Sequence, residues 1–254
     1  MVIDYYYYDF EDSEPRRVTS LKNTEPRQFE VDFGEDQYFV ADGRGYASVV
    51  HYTATQFLSS KLGIITDPRL KLNKVVRAVN YSKNAVTVQT EDGSICHAKS
   101  AIVSVSLGVL QSNLIEFKPD LPPWKILALY EFDMTRFGKI FLKFPYKFWP
   151  TGPGTQYFLY AHERRGYYLI WKHFEEEYPG SNILMMIIIT DDEARRIEQQ
   201  TEAETEAEIM EVLRKMFGSH IPKPTDIFVA KWWSNRFFKV PSQSGASWSP
   251  TAPL

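Results

Sequence analysis

An α/β chain built on mixed sheets is predicted by three observations: short apolar stretches set between turn residues, a hairpin signal at Asp92-Gly93, and two helices that open with capping boxes. With 254 residues and 44% hydrophobic content the chain can bury a sizeable core, in one large or two small domains. Disorder and collagen-like repeats are excluded by the same composition.

Residues 1–27 are aromatic, acidic and punctuated by proline, which fits the end of one element and a long connection. Alternation around Tyr38 and Val40 predicts a strand over 33–41. Tyr46, Val49, Val50 and Phe57 then recur at helical spacing after Gly43 and Gly45, so a helix is expected over 46–58. Short strands follow at 72–79, 85–90 and 94–98, with a further apolar run at 101–105. Asp92-Gly93 reads as a two-residue type I′ turn, which requires positive φ. Leu121-Pro-Pro-Trp opens a helix to Tyr130, because proline is tolerated in a first turn. Four strands are predicted at 139–144, 156–161, 167–172 and 182–189.

Thr190-Asp-Asp-Glu193 and Thr201-Glu-Ala-Glu204 each have the capping-box pattern, in which hydroxyl and carboxylate satisfy each other's backbone N–H groups. Ile209, Val212, Leu213 and Met216 continue the second helix until Gly218 stops it. One more strand is read at 226–231. The last dozen residues have the Ser/Pro composition of a linker and are expected to be disordered.

Several functions are disfavoured. The formal net charge of −3 offers no concentrated basic surface for nucleic acid. The single cysteine, Cys96, permits neither an internal disulfide nor a thiolate metal cluster and reads as a buried strand residue. The longest apolar run, 183–189, has the length of a buried strand rather than a membrane span, so a soluble protein is expected. The N-terminus lacks the basic region and cleavage site of a signal peptide. Five scattered histidines give no metal-binding spacing, and no G-x-S-x-G elbow is present. Gly43-Arg-Gly45 and Gly152-Pro-Gly154 lack the remaining glycine of a dinucleotide loop. Asn80-Tyr-Ser82 is a glycosylation sequon that chance also produces.

The order of Ser104-Val-Ser-Leu-Gly-Val-Leu, Phe117-Lys-Pro-Asp-Leu-Pro-Pro-Trp124 and Gly138-Lys-Ile-Phe-Leu-Lys-Phe resembles the flavin-containing amine oxidases, in particular the extracellular plant polyamine oxidases. Further landmarks are Arg17-Val-Thr-Ser-Leu21, Leu70-Lys-Leu-Asn-Lys-Val-Val-Arg77, Arg164-Arg-Gly-Tyr-Tyr168, Arg195-Arg-Ile-Glu-Gln-Gln200 and Trp232-Trp233. The resemblance runs from about Val2 to Lys239. It implies a two-domain FAD-dependent fold made of interleaved segments, of which this chain is a central piece. On that pattern, 1–27 ends a substrate-domain segment, 28–107 is the middle segment of the FAD domain and 108–230 is the substrate domain. Residues 231–254 begin the return to the FAD domain and then diverge. The N-terminal Rossmann segment and the C-terminal flavin segment are expected to be missing.

The implied reaction is oxidation of spermine or spermidine by hydride transfer to flavin N5, with O2 as the final acceptor and hydrogen peroxide released. Lys139 matches the family's lysine beside N5, although an isolated strand lysine more often carries its charge to solvent. Glu11 aligns with a carboxylate of the substrate tunnel, or else is one solvated acid among several. Phe137 stands where the plant enzymes carry a tyrosine beside the substrate, so the aromatic wall is kept and a hydroxyl lost. Val76 matches the residue whose backbone meets the adenine, and Trp232 a tryptophan near the flavin. Both would serve equally as core residues. The alternative is a catalytically inactive product, at most a polyamine-binding module. The resemblance also implies an extracellular location, with cytoplasm and vacuole as alternatives; from charge and apolar run length, no nucleic-acid or membrane partner is expected.

Overall fold

A computed structural model describes residues 2–9, 15, 17, 40, 42–132, 137–188 and 191–239. The chain divides into two compact units, one made of 1–27, 104–113 and 122–254, the other of 28–103 and 114–121.

In chain order the elements are a short helix α1 (Val2–Asp4) continued by a π-helical turn (Tyr5–Asp9), helix α2 (Ala47–Thr55), and strands β1 (Ser60–Lys61), β2 (Ile64–Ile65), β3 (Val76–Tyr81), β4 (Val86–Thr90) and β5 (Ile95–Ala98). Helix α3 (Leu107–Leu110), β6 (Glu116–Lys118), α4 (Pro123–Glu131), β7 (Gly138–Lys143), β8 (Tyr157–Leu159), β9 (Ile170–His173) and β10 (Ile183–Ile188) follow. Helices α5 (Asp191–Gln199) and α6 (Glu202–Phe217) and strand β11 (Asp226–Val229) complete the order.

The unit of 28–103 and 114–121 holds a four-stranded sheet in the order β5-β4-β3-β6, in which only the β3–β6 pair is parallel. That pairing, Val79 opposite Phe117, is why 114–121 groups with this unit although the chain on either side does not. Strand β3 begins at Val76 rather than at 72, because Asn73 takes a positive φ of 57° that an extended strand cannot accommodate. The β4–β5 hairpin forms as expected, but not through a type I′ turn. Only Gly93 has positive φ, at 82°, and Thr90 N–H donates to the Ser94 carbonyl across a longer loop. Asp92 accepts from Ser94 N–H at 3.1 Å and from the Thr90 hydroxyl at 2.6 Å, which fixes that loop from within.

Two further expectations are corrected in this unit. Cys96 is exposed, because β5 is an edge strand with all four residues open. Residues 101–105 form no strand: they find no partner among the described residues, and Ile102 stands 96% exposed. The sequon residue Asn80 lies inside β3, opposite Thr87 on one side and Lys118 on the other.

The larger unit is built on an antiparallel five-stranded sheet in the order β11-β7-β10-β9-β8. Alternation along each strand gives the sheet two faces. Ile140, Leu142, Leu184, Met186 and Trp171 point to one and bury against Ala194 and Ile197 of α5 and Ile209, Met210, Val212 and Leu213 of α6. The capping box at Thr201 forms completely, the hydroxyl accepting from Glu204 N–H while the Glu204 carboxylate accepts from Thr201 N–H. Thr190, on which the first box depends, lies outside the described residues, as do the strand expected over 33–41 except Val40 and the tail from 240.

Candidate functional site

The opposite face of the five-stranded sheet carries the candidate site. Lys139 and Phe141 of β7, Met185 and Ile187 of β10, and Ile170 of β9 share this face, since Ile187 lies directly opposite Lys139 and Ile170. The N-terminal segment lies over it. Tyr5, 1% exposed, packs with Leu169, Ile170, Phe174, Met185 and Ile187, and Val2, Phe137, Phe141 and Ile183 close around that cluster. Aromatic side chains continue along the face, with Phe141 6.3 Å from Phe174 and 6.2 Å from Phe228. The result is an apolar, aromatic surface in which Lys139 is the half-buried cation of β7.

The Lys139 ammonium stands 5.6 Å from the centre of the Phe137 ring, within cation–π range. Its carbonyl accepts a 3.0 Å hydrogen bond from Ala230 N–H, so the end of β11 delivers the chain to Trp232 two residues later. Trp232 is 46% exposed and packs edge-on against Phe238 at 5.4 Å. Of the five residues singled out by sequence, this unit therefore holds Lys139, Phe137 and Trp232 around one end of β7. Val76 opens β3 in the other unit, half-buried and opposite Thr90. Glu11 lies outside the described residues.

Close approach of two chain segments explains the sequence Ser104-Val-Ser-Leu-Gly-Val. Ser106 caps α3 by accepting from Val109 N–H, and its hydroxyl also donates to the Phe238 carbonyl. At Gly108 a Cβ would run into the carbonyl of Lys239, so glycine is required there by space.

Motif reading missed two ionic clusters. In the first, Arg165 donates to both oxygens of Asp9, at 2.9 and 2.5 Å, and to Asp4 at 2.6 Å. Asp9 is fully buried, and its carboxylate is the main reason the Arg165 guanidinium is held protonated beyond its ordinary value. In the second, Glu193 takes Arg164 at 2.5 Å and Arg196 at 3.1 Å, and Arg196 reaches on to Glu208 at 2.8 Å. Tyr168 and Gln200 also donate to Glu208, at 2.9 and 2.7 Å. Burial, then the nearby Glu208 charge, pushes the Tyr168 phenol well above its usual range. The signal for both clusters was the pair of arginine doublets, Arg164-Arg165 and Arg195-Arg196, the second set among the acidic residues of 191–208.

The chain belongs to the family described as flavin containing amine oxidoreductase, whose model matches residues 4–254. It is 59% identical over 242 residues to polyamine oxidase 1 of Zea mays, covering 94% of this chain and 48% of that protein. Polyamine oxidase 7 of Oryza sativa subsp. japonica is 58% identical over 241 residues, covering 94% of this chain and 51% of that protein. The chain thus spans about half the length of the curated relatives it matches. Among solved structures, putrescine oxidase bound to putrescine overlays with a TM-score of 0.56 at 16% identity, covering 69% of this chain and 38% of that one. That overlay supports the fold.

The cofactor of this family is FAD, and the residues present fit it in part. A half-exposed indole at Trp232 and a lysine against aromatic rings suit the flat, apolar face of a flavin. For its phosphates, neither Gly43-Arg-Gly45 nor Gly152-Pro-Gly154 has the glycine pattern of a dinucleotide loop. Around Gly43, Gly45, Gly152 and Gly154 no protein atom lies within 4 Å of where a Cβ would stand, so packing within the chain does not demand glycine there. Among the described residues no group of acidic, histidine or cysteine side chains could hold a metal ion, and no helix is long and apolar enough to cross a membrane.

Proposed function

We propose that this chain supplies the substrate side of an FAD-dependent oxidase acting on polyamines such as spermine and spermidine. The observation that carries the reading is the aromatic sheet face bearing Lys139 and Phe137, with Tyr5 of the N-terminal segment buried against it, in a chain nearly 60% identical to a polyamine oxidase. Bound FAD would supply the acceptor for hydride from the carbon beside the amine nitrogen, with O2 as the terminal oxidant. In this reading the 28–103 unit with 114–121 belongs to the flavin side, where the Val76 backbone would meet the cofactor.

The chain's own groups bind, orient and keep water out. Phe137, Phe141 and Phe228 form an apolar wall for the methylene stretches of the amine. Lys139 holds a positive charge at one end of that wall, which disfavours a second ammonium beside it and favours the neutral amine needed for oxidation. Glu11 would receive a distal ammonium, and Trp232 would border the flavin. The loss of a hydroxyl at Phe137 removes one polar contact without opening the wall.

Peroxide release from spermidine or spermine tests this reading in the flavin-loaded holoenzyme. Exchange of Lys139→Met is expected to lower turnover by about 10²-fold, the range associated with removal of one positioned electrostatic group. Wild-type protein that releases no peroxide from either amine contradicts the substrate assignment. A second reading, an inactive scaffold, applies to the 254-residue chain by itself and is favoured by the wide exposure of its apolar residues.

A further inference from the structure

Beyond Ala230 the sheet ladder ends, and residues 231–239 form neither helix nor strand, so their backbone groups need partners elsewhere. Two sides of the larger unit supply them. On one side the Glu198 carboxylate, in the last turn of α5, accepts from Trp233 N–H at 3.0 Å and from Ser234 N–H at 2.8 Å, one on each oxygen. The Lys231 ammonium donates to the Gln200 carbonyl at 3.2 Å. On the other side the Ser106 hydroxyl donates to the Phe238 carbonyl, and Gly108 admits the Lys239 backbone. Between these anchors Trp232 packs edge-on against Phe238 at 5.4 Å. Three stretches that stand apart in sequence, 104–110, 195–200 and 232–233, therefore meet at one turn.

We propose that Glu198 is a positioning residue for the flavin: by holding the Trp233 and Ser234 N–H groups it fixes the backbone that aims the Trp232 indole at the cofactor. This rests on the reading above that Trp232 borders the flavin, and it assigns Glu198 no contact with flavin or amine. The place of Glu198 in its helix supports the assignment. A carboxylate in a last turn faces the negative end of the helix dipole, so α5 gains nothing electrostatically from an acid there. Two charge-assisted bonds to consecutive N–H groups of the turn offset that disadvantage. Because Trp232 is 46% exposed, packing alone does not lock its ring, and the backbone beneath it decides where the indole stands.

The test measures FAD affinity by flavin fluorescence, the visible flavin spectrum of the holoenzyme and hydrogen exchange of residues 231–239. For Glu198→Ala, the amides of 233 and 234 are expected to lose protection while those of 140–142 keep it. The Kd for FAD is expected to rise about tenfold and the flavin band to move toward that of free FAD. Glu198→Gln keeps one carbonyl acceptor and should recover part of each change. Trp232→Ala should reproduce the Kd and spectral changes, and Glu198→Ala added to it should cost less than about twofold more. If Glu198→Ala destabilises the fold, Glu198→Gln carries the comparison. Faster exchange at 233 and 234 with an unchanged Kd and spectrum overturns the proposal, as does unchanged exchange or a full further loss in the Trp232→Ala background. A protein that holds no FAD, or a Trp232→Ala holoenzyme with wild-type Kd and spectrum, removes the flavin reading and this proposal together. Failure of Glu198 alone is told apart, because Trp232→Ala then changes both readouts and Glu198→Ala neither.

Discussion

Glu208 shows how one side chain can set a local energy balance. Burial acts against its charged form, and donors from Arg196, Gln200 and Tyr168 outweigh that, so its carboxyl is held below the usual range. A depressed carboxyl contributes stability that is present above its unfolded value, about 4.3, and is lost as pH falls through the lower folded value. Glu208→Gln is therefore expected to cost about 1–3 kcal/mol near neutral pH and to flatten the acid limb of a stability profile, read by urea denaturation across pH. A variant with an unaltered acid limb would contradict this role. Gly108 makes a steric prediction. Gly108→Ala should destabilise by about 1–3 kcal/mol, because the new Cβ meets the Lys239 backbone rather than a side-chain tip that can move. Wild-type stability of that variant would show that residues 238–239 do not lie against α3.

Helix α6 depends on its start as well as on its buried stripe of Ile209, Met210, Val212 and Leu213. Thr201→Ala removes the hydroxyl half of the capping box and is expected to cost about 1 kcal/mol in thermal or denaturant unfolding, with Thr201→Ser restoring most of it. Elements like this one were readable in advance because their cause is local: a cap, a periodic apolar stripe and a glycine stop at Gly218, whose φ is +100°. The strands of the larger sheet were readable as short apolar stretches between turns, except that the one expected over 167–172 starts only at Ile170, because Tyr168 takes a positive φ of 44° that a strand cannot accommodate. Where the cause was not local, sequence reading failed. Residues 101–105 are apolar enough for a strand and pair with nothing described, while Cys96 is exposed because β5 happens to be the edge. The return of 114–121 to pair with β3 is a parallel, long-range contact that no turn signal announces.

The two units leave much apolar surface open. In the smaller one, α2 buries no residue and exposes Val49, Val50 and Tyr52, with Tyr46 exposed just before it; in the larger one, Trp124, Leu127, Phe228 and Phe237 are exposed. Soluble monomers rarely present so many large apolar side chains, so the 254-residue chain is expected to bind an apolar fluorescent dye under native conditions and to self-associate in sedimentation. A monodisperse monomer that leaves the dye dark would contradict that exposure. The candidate site was legible only through family likeness. A lysine in an apolar strand, a tryptophan pair and a phenylalanine have no motif of their own, and their shared place around one end of β7 arises from the pairing of β11 and β10 with β7. Arg165 and Asp9 were hidden for the same reason, since nothing local joins residues 156 apart. The visible absorption of the flavin-loaded holoenzyme, followed as spermidine is added without oxygen, decides the matter. Bleaching of the flavin band on addition of the amine is the predicted result, and a band that persists at saturating spermidine would contradict the assignment of this chain to polyamine oxidation.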